Sequence, residues 1–299
     1  GWLSINDVRE RENMNPIEGG DIYLVPLNMV PASQAIAQGT GSENEPEVYE
    51  RASQKAFEAR SEQAKHRLMA AWQGVVTDAV RRVMRREAAD IRRAAKRYLG
   101  QRSVSQFSKW LSEFYADAPT WIKTTMLPVI ASFARAIVDS LGEEVELPSD
   151  YEERIDTFVD EYAEKSAVRH AARQRRAVEE ALDDSLGEQV ILDALEALLE
   201  EWVEHRYLVV GRNETVSVLG AVSKATYGMA GVSRLVWRAN PGACPYCKSL
   251  DGRVVSTGEP FISPGDSLDP DGGTGPMMIT GRITHPPLHD GCECMIVPG

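Results

Sequence analysis

Residues 240–255, NPGACPYCKSLDGRVV, decide how the C-terminal part of this chain is built. Cys244 and Cys247 bracket Pro-Tyr, a spacing shared by thiol redox centres and by half of a zinc site. A redox centre needs its first thiol at the start of a helix backed by a sheet, where the helix dipole lowers the thiol pKa. Only Lys248 and Ser249 separate Cys247 from Leu250-Asp251-Gly252, a turn signal, so no helix of useful length can follow. A metal site accounts for more. Two thiolates two residues apart can grip one tetrahedral ion, and a second pair elsewhere completes the shell.

HDGCEC at residues 289–294 offers that pair, as Cys292 with either His289 or Cys294. The candidate ligands are therefore Cys244, Cys247, His289, Cys292 and Cys294. His289-x-x-Cys292 repeats the spacing of the first knuckle, which favours His289, whereas Cys294 would need both thiols of a Cys-x-Cys to reach one ion. The 44 residues between Cys247 and Cys292 exceed the spacing of an ordinary zinc ribbon. A disulfide pair or free thiols are the alternatives. A catalytic zinc would need an open position and a nearby acid or base, and a zinc deaminase would carry His-x-Glu ahead of its cysteines. Here His205 is followed by Arg206 and Tyr207, and a structural zinc is expected.

Bulk properties point the same way. All four cysteines lie in the last 56 of 299 residues, which suits one local site in a reducing compartment better than disulfide staples spread along a secreted chain. The net charge of −12 argues against indiscriminate coating of nucleic acid. The apolar stretch 126–138 is too short to span a bilayer and contains Pro128 and Arg135, so no membrane partner is expected. No signal peptide with a basic start and apolar centre opens the sequence.

Along the chain, residues 1–33 read as a short helix followed by an extended, proline-punctuated segment, and 34–46 as a flexible tether. From about Glu47 to Gly100 no proline intervenes, and Leu68, Trp72, Val76, Ala79, Val83, Ile91, Ala95 and Tyr98 recur at helical spacing. A second helix is expected from Ser103 to Asp117, and a third opening at Pro119 with a kink at Pro128. Ser149 with Glu152 starts a fourth, and Ser185 with Glu188 a fifth. A sixth is expected to open near Arg212-Asn213-Glu214. SRLVWRA then alternates like a strand, GRVVS could pair with it, and CECMIVP could close a small sheet. The expected fold is mainly α: long helices in an extended bundle, then a small zinc-stabilised α+β module.

Arg82, Arg86, Arg93 and Arg97 fall on one helical face and form the candidate DNA-binding stripe. The plainer reading is a solvated face paired with acidic helices, and Glu87 and Asp90 interrupt the run. Arg212 and Glu214 read first as a helix cap with an exposed ion pair. The loop DSLDPDGGTG lacks the alternation of a calcium site after Asp271 and reads as a glycine-rich turn. His66 and His170 are expected on helix surfaces, and His285 is expected to shape the approach to the metal site.

Two stretches carry a resemblance. Arg212-Asn213-Glu214, Trp237, Cys244 with Cys247, Leu250-Asp251-Gly252, and Pro286-Pro287-Leu288-His289 with Cys292 and Cys294 resemble, in order and spacing, the C-terminal half of the phage Mu protein F-like head morphogenesis (minor capsid) family. This sequence departs at Asn213, where Thr is usual, and at Asp290, Gly291 and Glu293, where Pro, Asn and Arg are common. Residues 1–31 resemble the end of a tailed-phage portal protein, with Asp7 in place of Glu. With no Met before Gly1, a truncated portal chain fused to a minor head protein is the expectation. The implied organisation is a portal C-terminal remnant (1–33), a linker (34–46), a helical region (47–204) and a Mu F-like module with the Cys/His site (205–299).

The resemblance implies a structural, non-catalytic protein at the portal vertex of a virion, assisting procapsid assembly, DNA packaging or DNA delivery. It would reside in the host cytoplasm during assembly. Its implied partners are portal ring subunits, capsid or scaffold proteins, and viral double-stranded DNA. The same module occurs ahead of toxin domains, so an ADP-ribosyltransferase-like activity involving Glu214 is one alternative. A plain DNA-binding protein is another.

Overall fold

The structure, a computed structural model, describes residues 45–101, 103–142, 145–182 and 187–299. Phe57–Gly299 forms one compact unit. The portal-like segment and nearly all of the expected tether lie outside the described residues; Glu45 and Pro46 already belong to the first helix.

Helix α1 runs from Glu45 to Tyr98, close to the span that the proline-free, periodic stretch predicts. A 3-10 turn, Leu99–Gln101, ends it. Helix α2, Val104–Gly142, corrects the sequence reading: the expected second and third helices are one, continuous through Pro119 and Pro128. Each proline removes one backbone donor from the ladder, at a usual cost of about 3 kcal/mol. That cost is outweighed here by burial along the length of the helix, from Phe107 through Leu111, Ile122 and Ile130 to Leu141. By length and composition α2 could also cross a membrane. Its apolar residues are instead part of the core shared with its neighbours.

Helix α3, Tyr151–Glu180, packs along α2 and buries Ile155, Val159, Tyr162 and Ala163. Helix α4, Glu188–Glu201, buries Ile191, Leu195 and Leu199. A π-helical turn, Trp202–Arg206, joins it directly to α5, Tyr207–Met229. The expected fifth and sixth helices are therefore continuous, and Arg212-Asn213-Glu214 lies inside a helix rather than at its start. Trp202, only 1% exposed, anchors the π turn in the core. The expected capping residue Ser185 lies outside the described residues.

Two close approaches fix how α1 meets the other helices. A Cβ on Gly211 in α5 would stand 2.7 Å from Thr77 Cα and 2.5 Å from its Oγ1 in α1, so only glycine lets these backbones touch. Further along α1, Glu87 is fully buried and His170 of α3 part-buried, with Nε2 2.8 Å from the carboxylate. This overturns the surface position expected for His170. Burial alone would depress the imidazole's pKa; the Glu87 carboxylate outweighs it and holds His170 above its ordinary 6.5. A second buried polar contact joins α1 to α5, where Lys65 Nζ donates to Ser61 Oγ and Tyr227 Oη, both at 2.6 Å.

The C-terminal module follows the predicted strand order. Strand β1 (Arg234–Arg238) is central, flanked antiparallel by β2 (Val254–Ser256) and β5 (Met295–Pro298). Leu235 pairs with Val255 and Trp237 with Ile296. Pro298 is tolerated because β5 is an edge strand. Helix α5 packs against β5, and Trp237 meets Phe261 edge-on at 5.2 Å. Two-residue strands β3 (Ser267–Leu268) and β4 (Met277–Met278) form a separate ribbon within the glycine-rich stretch.

Gly211→Ala is expected to destabilise the fold by about 1–3 kcal/mol through overpacking against Thr77. Gly74→Ala, whose added methyl meets nothing within 4 Å, should leave the melting temperature equal or higher. Thermal melts followed by circular dichroism compare the two.

Removing one partner of the buried pair, as in His170→Ala, should cost about 3–5 kcal/mol. Because His170's folded-state pKa is raised, its stabilisation is full below 6.5 and is lost as pH rises through the folded value. Denaturant titrations at stepped pH should show that loss in the native protein, and His170→Gln should remove it.

Candidate metal centre

Local structure around the first knuckle follows from its four residues. Cys244 is the N-cap of a single helical turn, α6 (Pro245–Lys248), with Pro245 in the first position that a helix leaves without need of an N–H. The backbone N–H of Lys248 donates to Cys244 O at 2.9 Å, which turns both sulfurs to the same side. Tyr246 serves the loop: its hydroxyl accepts from Thr274 N at 2.9 Å, pinning the glycine-rich stretch against the knuckle. The one-turn length of α6 agrees with the sequence argument against a redox helix.

Leu250-Asp251-Gly252 closes this unit onto the sheet. Leu250 is buried, and Asp251 Oδ1 accepts from Ala239 N at 2.9 Å. Gly252 holds φ +76°, a conformation that costs glycine least, and its N–H donates to Trp237 O.

The second pair arrives on the loop 285–294. His289 Nε2 lies 3.0 Å from Cys244 Sγ and 3.1 Å from Cys247 Sγ, and Cys247 Sγ lies 3.6 Å from Cys292 Sγ. Cys294 joins Cys247 and Cys292 within 4.8 Å. All five candidate ligands thus cluster, in two overlapping triads that share Cys247. A tetrahedral ion with metal–sulfur bonds of about 2.3 Å sets its sulfurs about 3.8 Å apart, close to the separation found between Cys247 and Cys292. The donor set of soft thiolates and one imidazole fits zinc-like ions rather than oxygen-seeking ones.

Electrostatics prepare the thiols. Desolvation works to raise the Cys244 pKa, but hydrogen bonding from the Cys247 backbone and from His289 holds it below the usual value. The Cys247 and Cys294 thiols both favour the Cys292 thiolate, which lies far below the ordinary thiol range. His289 Nδ1–H donates to Asp290 O at 2.8 Å, an assignment made from its partners, and Nε2 faces the sulfurs, a hydrogen-bond donor to the Cys244 thiolate when protonated and a metal ligand when neutral.

What positions this loop is the element the sequence reading treated as a cap. Asn213 Nδ2 donates to Asp290 Oδ1 at 2.6 Å, and Asn213 Oδ1 accepts from Gly291 N at 2.9 Å. Arg212 pairs with Glu293 at 3.6 Å. Gly291, at φ +79°, makes the turn between His289 and Cys292. Asn213, Asp290 and Gly291 therefore meet in one place, and Glu293 is reached from the same turn of α5 by Arg212. His285 packs on α5, where a Cβ on Gly220 would come within 2.9 Å of its Nδ1. Burial lowers its pKa to about 4, so it stays neutral.

Glu214 points away from the metal centre. Its Oε1 accepts from Tyr162 Oη at 3.1 Å and from Ser166 Oγ at 2.9 Å, tying α5 to α3. It also lines a cavity of about 80 Å³ with His170 and Arg169.

The arginine stripe is exposed along α1, and its charge is partly answered. Arg82 pairs with Asp78 at 3.5 Å, Arg86 with Asp90 at 3.9 Å, and Arg93 also with Asp90. Arg97 lies over the Tyr98 ring. Neighbouring Arg92 reaches Glu196 of α4 at 2.9 Å, as the paired-helix reading expects.

Sequence reasoning missed Lys65, Ser61 and Glu87, for which no local pattern exists: a buried charge in a helix reads like any surface charge until its partners on other helices are known. Comparisons with family models, with curated proteins and with solved structures match nothing.

Asn213→Ala should weaken metal binding by about 10- to 100-fold while the ligands stay in place, the usual effect of losing an outer contact to a metal loop. Competitive titration against a chromophoric chelator measures it.

Proposed function

We propose that this protein is a structural component of a tailed-phage head, acting at the portal vertex to assist procapsid assembly, DNA packaging or DNA delivery. The observation that carries this reading is the convergence of Cys244, Cys247, His289 and Cys292 beside a short three-stranded sheet. Together with Trp237 and the Leu250-Asp251-Gly252 turn, it reproduces in space the features on which the resemblance to Mu F-like minor capsid proteins rests. The ion is zinc, held by Cys244, Cys247, His289 and Cys292. Cys294, only 1% exposed, lies within 4.8 Å of Cys247 and Cys292.

A zinc in this position would cross-link segments 45 residues apart and supply a small module with stability its core alone cannot. Portal ring subunits and capsid or scaffold proteins are the expected partners, with the arginine stripe facing viral DNA. The cavity beside Glu214, at about 80 Å³, is far smaller than a dinucleotide, which favours a building role over an ADP-ribosyltransferase.

The reading is tested in particles made by the phage or prophage whose genome carries this reading frame. Antibody against residues 57–299, imaged by electron microscopy on heads opened by mild disruption, should mark a single vertex. Label on no particle, or spread evenly over the shell, contradicts it.

Ligand choice is tested separately. His289→Ala should lose metal at chelator concentrations that Cys294→Ser withstands, and the reverse order would assign the fourth position to Cys294.

A further inference from the structure

The five donors of the metal centre are one more than a tetrahedral zinc can use. Their arrangement is uneven. Cys244, Cys247 and His289 form one triad and Cys247, Cys292 and Cys294 another, with the ligating atoms of each triad within 4.8 Å of one another. Cys247 alone belongs to both. Its Sγ stands between them, 3.1 Å from His289 Nε2 on one side and 3.6 Å from Cys292 Sγ on the other. The triads also differ in depth. In the first, Cys244 and His289 are only half-buried, whereas every thiol of the second is at most 2% exposed.

We propose that the same cluster binds two Cu(I) ions in place of the single zinc, one in each triad, with the Cys247 thiolate bridging them. This rests on the reading of the cluster as a metal centre and asks nothing of a role in the virion. Donor number selects the ion. A pair of four-coordinate ions that share one or two ligands needs seven or six donors, so these five residues cannot complete two zinc shells. Two three-coordinate ions sharing one ligand need five. Cu(I) is content with three donors, and among metal ions it is one that soft thiolates select.

The shared ligand is also the chemically suitable one. A thiolate sulfur has lone pairs enough to bridge two ions, whereas the imidazole Nε2 of His289 has a single one. Burial of the second triad keeps water away from its ion. Each thiol gives up its proton to the solvent as the metal enters, and no change of copper oxidation state is involved. Were Cys294 merely a substitute for His289 in the zinc shell, it would have to approach the donors of the first triad. It closes instead on Cys247 and Cys292.

The test starts from the intact, zinc-loaded chain under anaerobic conditions. Cu(I) buffered by a chromophoric chelator is added, the protein is separated by gel filtration, and both metals are counted by elemental analysis. Two copper ions per chain should enter as the zinc leaves. Cys294→Ser should still bind one zinc but take only one copper, a two-fold loss. X-ray absorption of the copper-loaded protein should show a short copper–copper distance, which Cys247→Ser should abolish. Circular dichroism of the zinc-loaded forms confirms that Cys294→Ser is folded.

One copper per chain, unchanged in Cys294→Ser, overturns the inference and leaves the zinc centre standing. Two copper ions with the zinc retained place the copper elsewhere and overturn it as well. A chain that holds neither metal overturns both the inference and the reading it rests on.

Discussion

The structure turns on one constraint: two short loops, distant in sequence, must be held with their sulfur and imidazole atoms within a few ångströms of each other. Strands of five, three and four residues cannot by themselves fix the module that carries them. Short strands give few ladder bonds, and the glycine-rich stretch from Gly258 to Gly281 fully buries only Phe261, Ile262 and Ile279. The cluster of Cys244, Cys247, His289, Cys292 and Cys294 could hold a metal ion that ties these loops together. Its surroundings are arranged accordingly. Tyr246 pins the glycine-rich loop, Asp251 ties the first knuckle to β1, and Asn213 grips the turn that presents His289 and Cys292.

Through Asn213 the metal loop is also coupled to the helices. Two residues earlier on α5, Gly211 meets Thr77 of α1, and one residue later Glu214 binds Tyr162 and Ser166 of α3. A single turn of α5 thus touches α1, α3 and the metal loop, so displacement of any one is felt by the others. The π turn ahead of it, seated by Trp202, sets where that turn falls. The buried Glu87–His170 pair performs the same joining task between α1 and α3 by charge rather than by close packing.

Much of this was legible in the residues. Period gave α1, alternation gave β1 with its two partners, and cysteine spacing gave the cluster, including the ambiguity between His289 and Cys294 that the two overlapping triads retain. The misreadings have physical causes. Pro119 and Pro128 read as breaks because local propensity was weighed without the burial that carries α2 through both. Arg212-Asn213-Glu214 read as a cap because polar residues at a change of texture usually mark an end; here they face three different partners from within a helix. His170 read as a surface residue because its partner, Glu87, is 83 residues away.

The most direct test of the account is metal content per chain by elemental analysis, before and after chelation, combined with melting and thiol alkylation. One zinc per chain is predicted, with alkylation of the four cysteines blocked until chelation and a lowered melting temperature afterwards. Protein purified without metal, with its thiols freely alkylated while the fold and melting temperature stay intact, would contradict it.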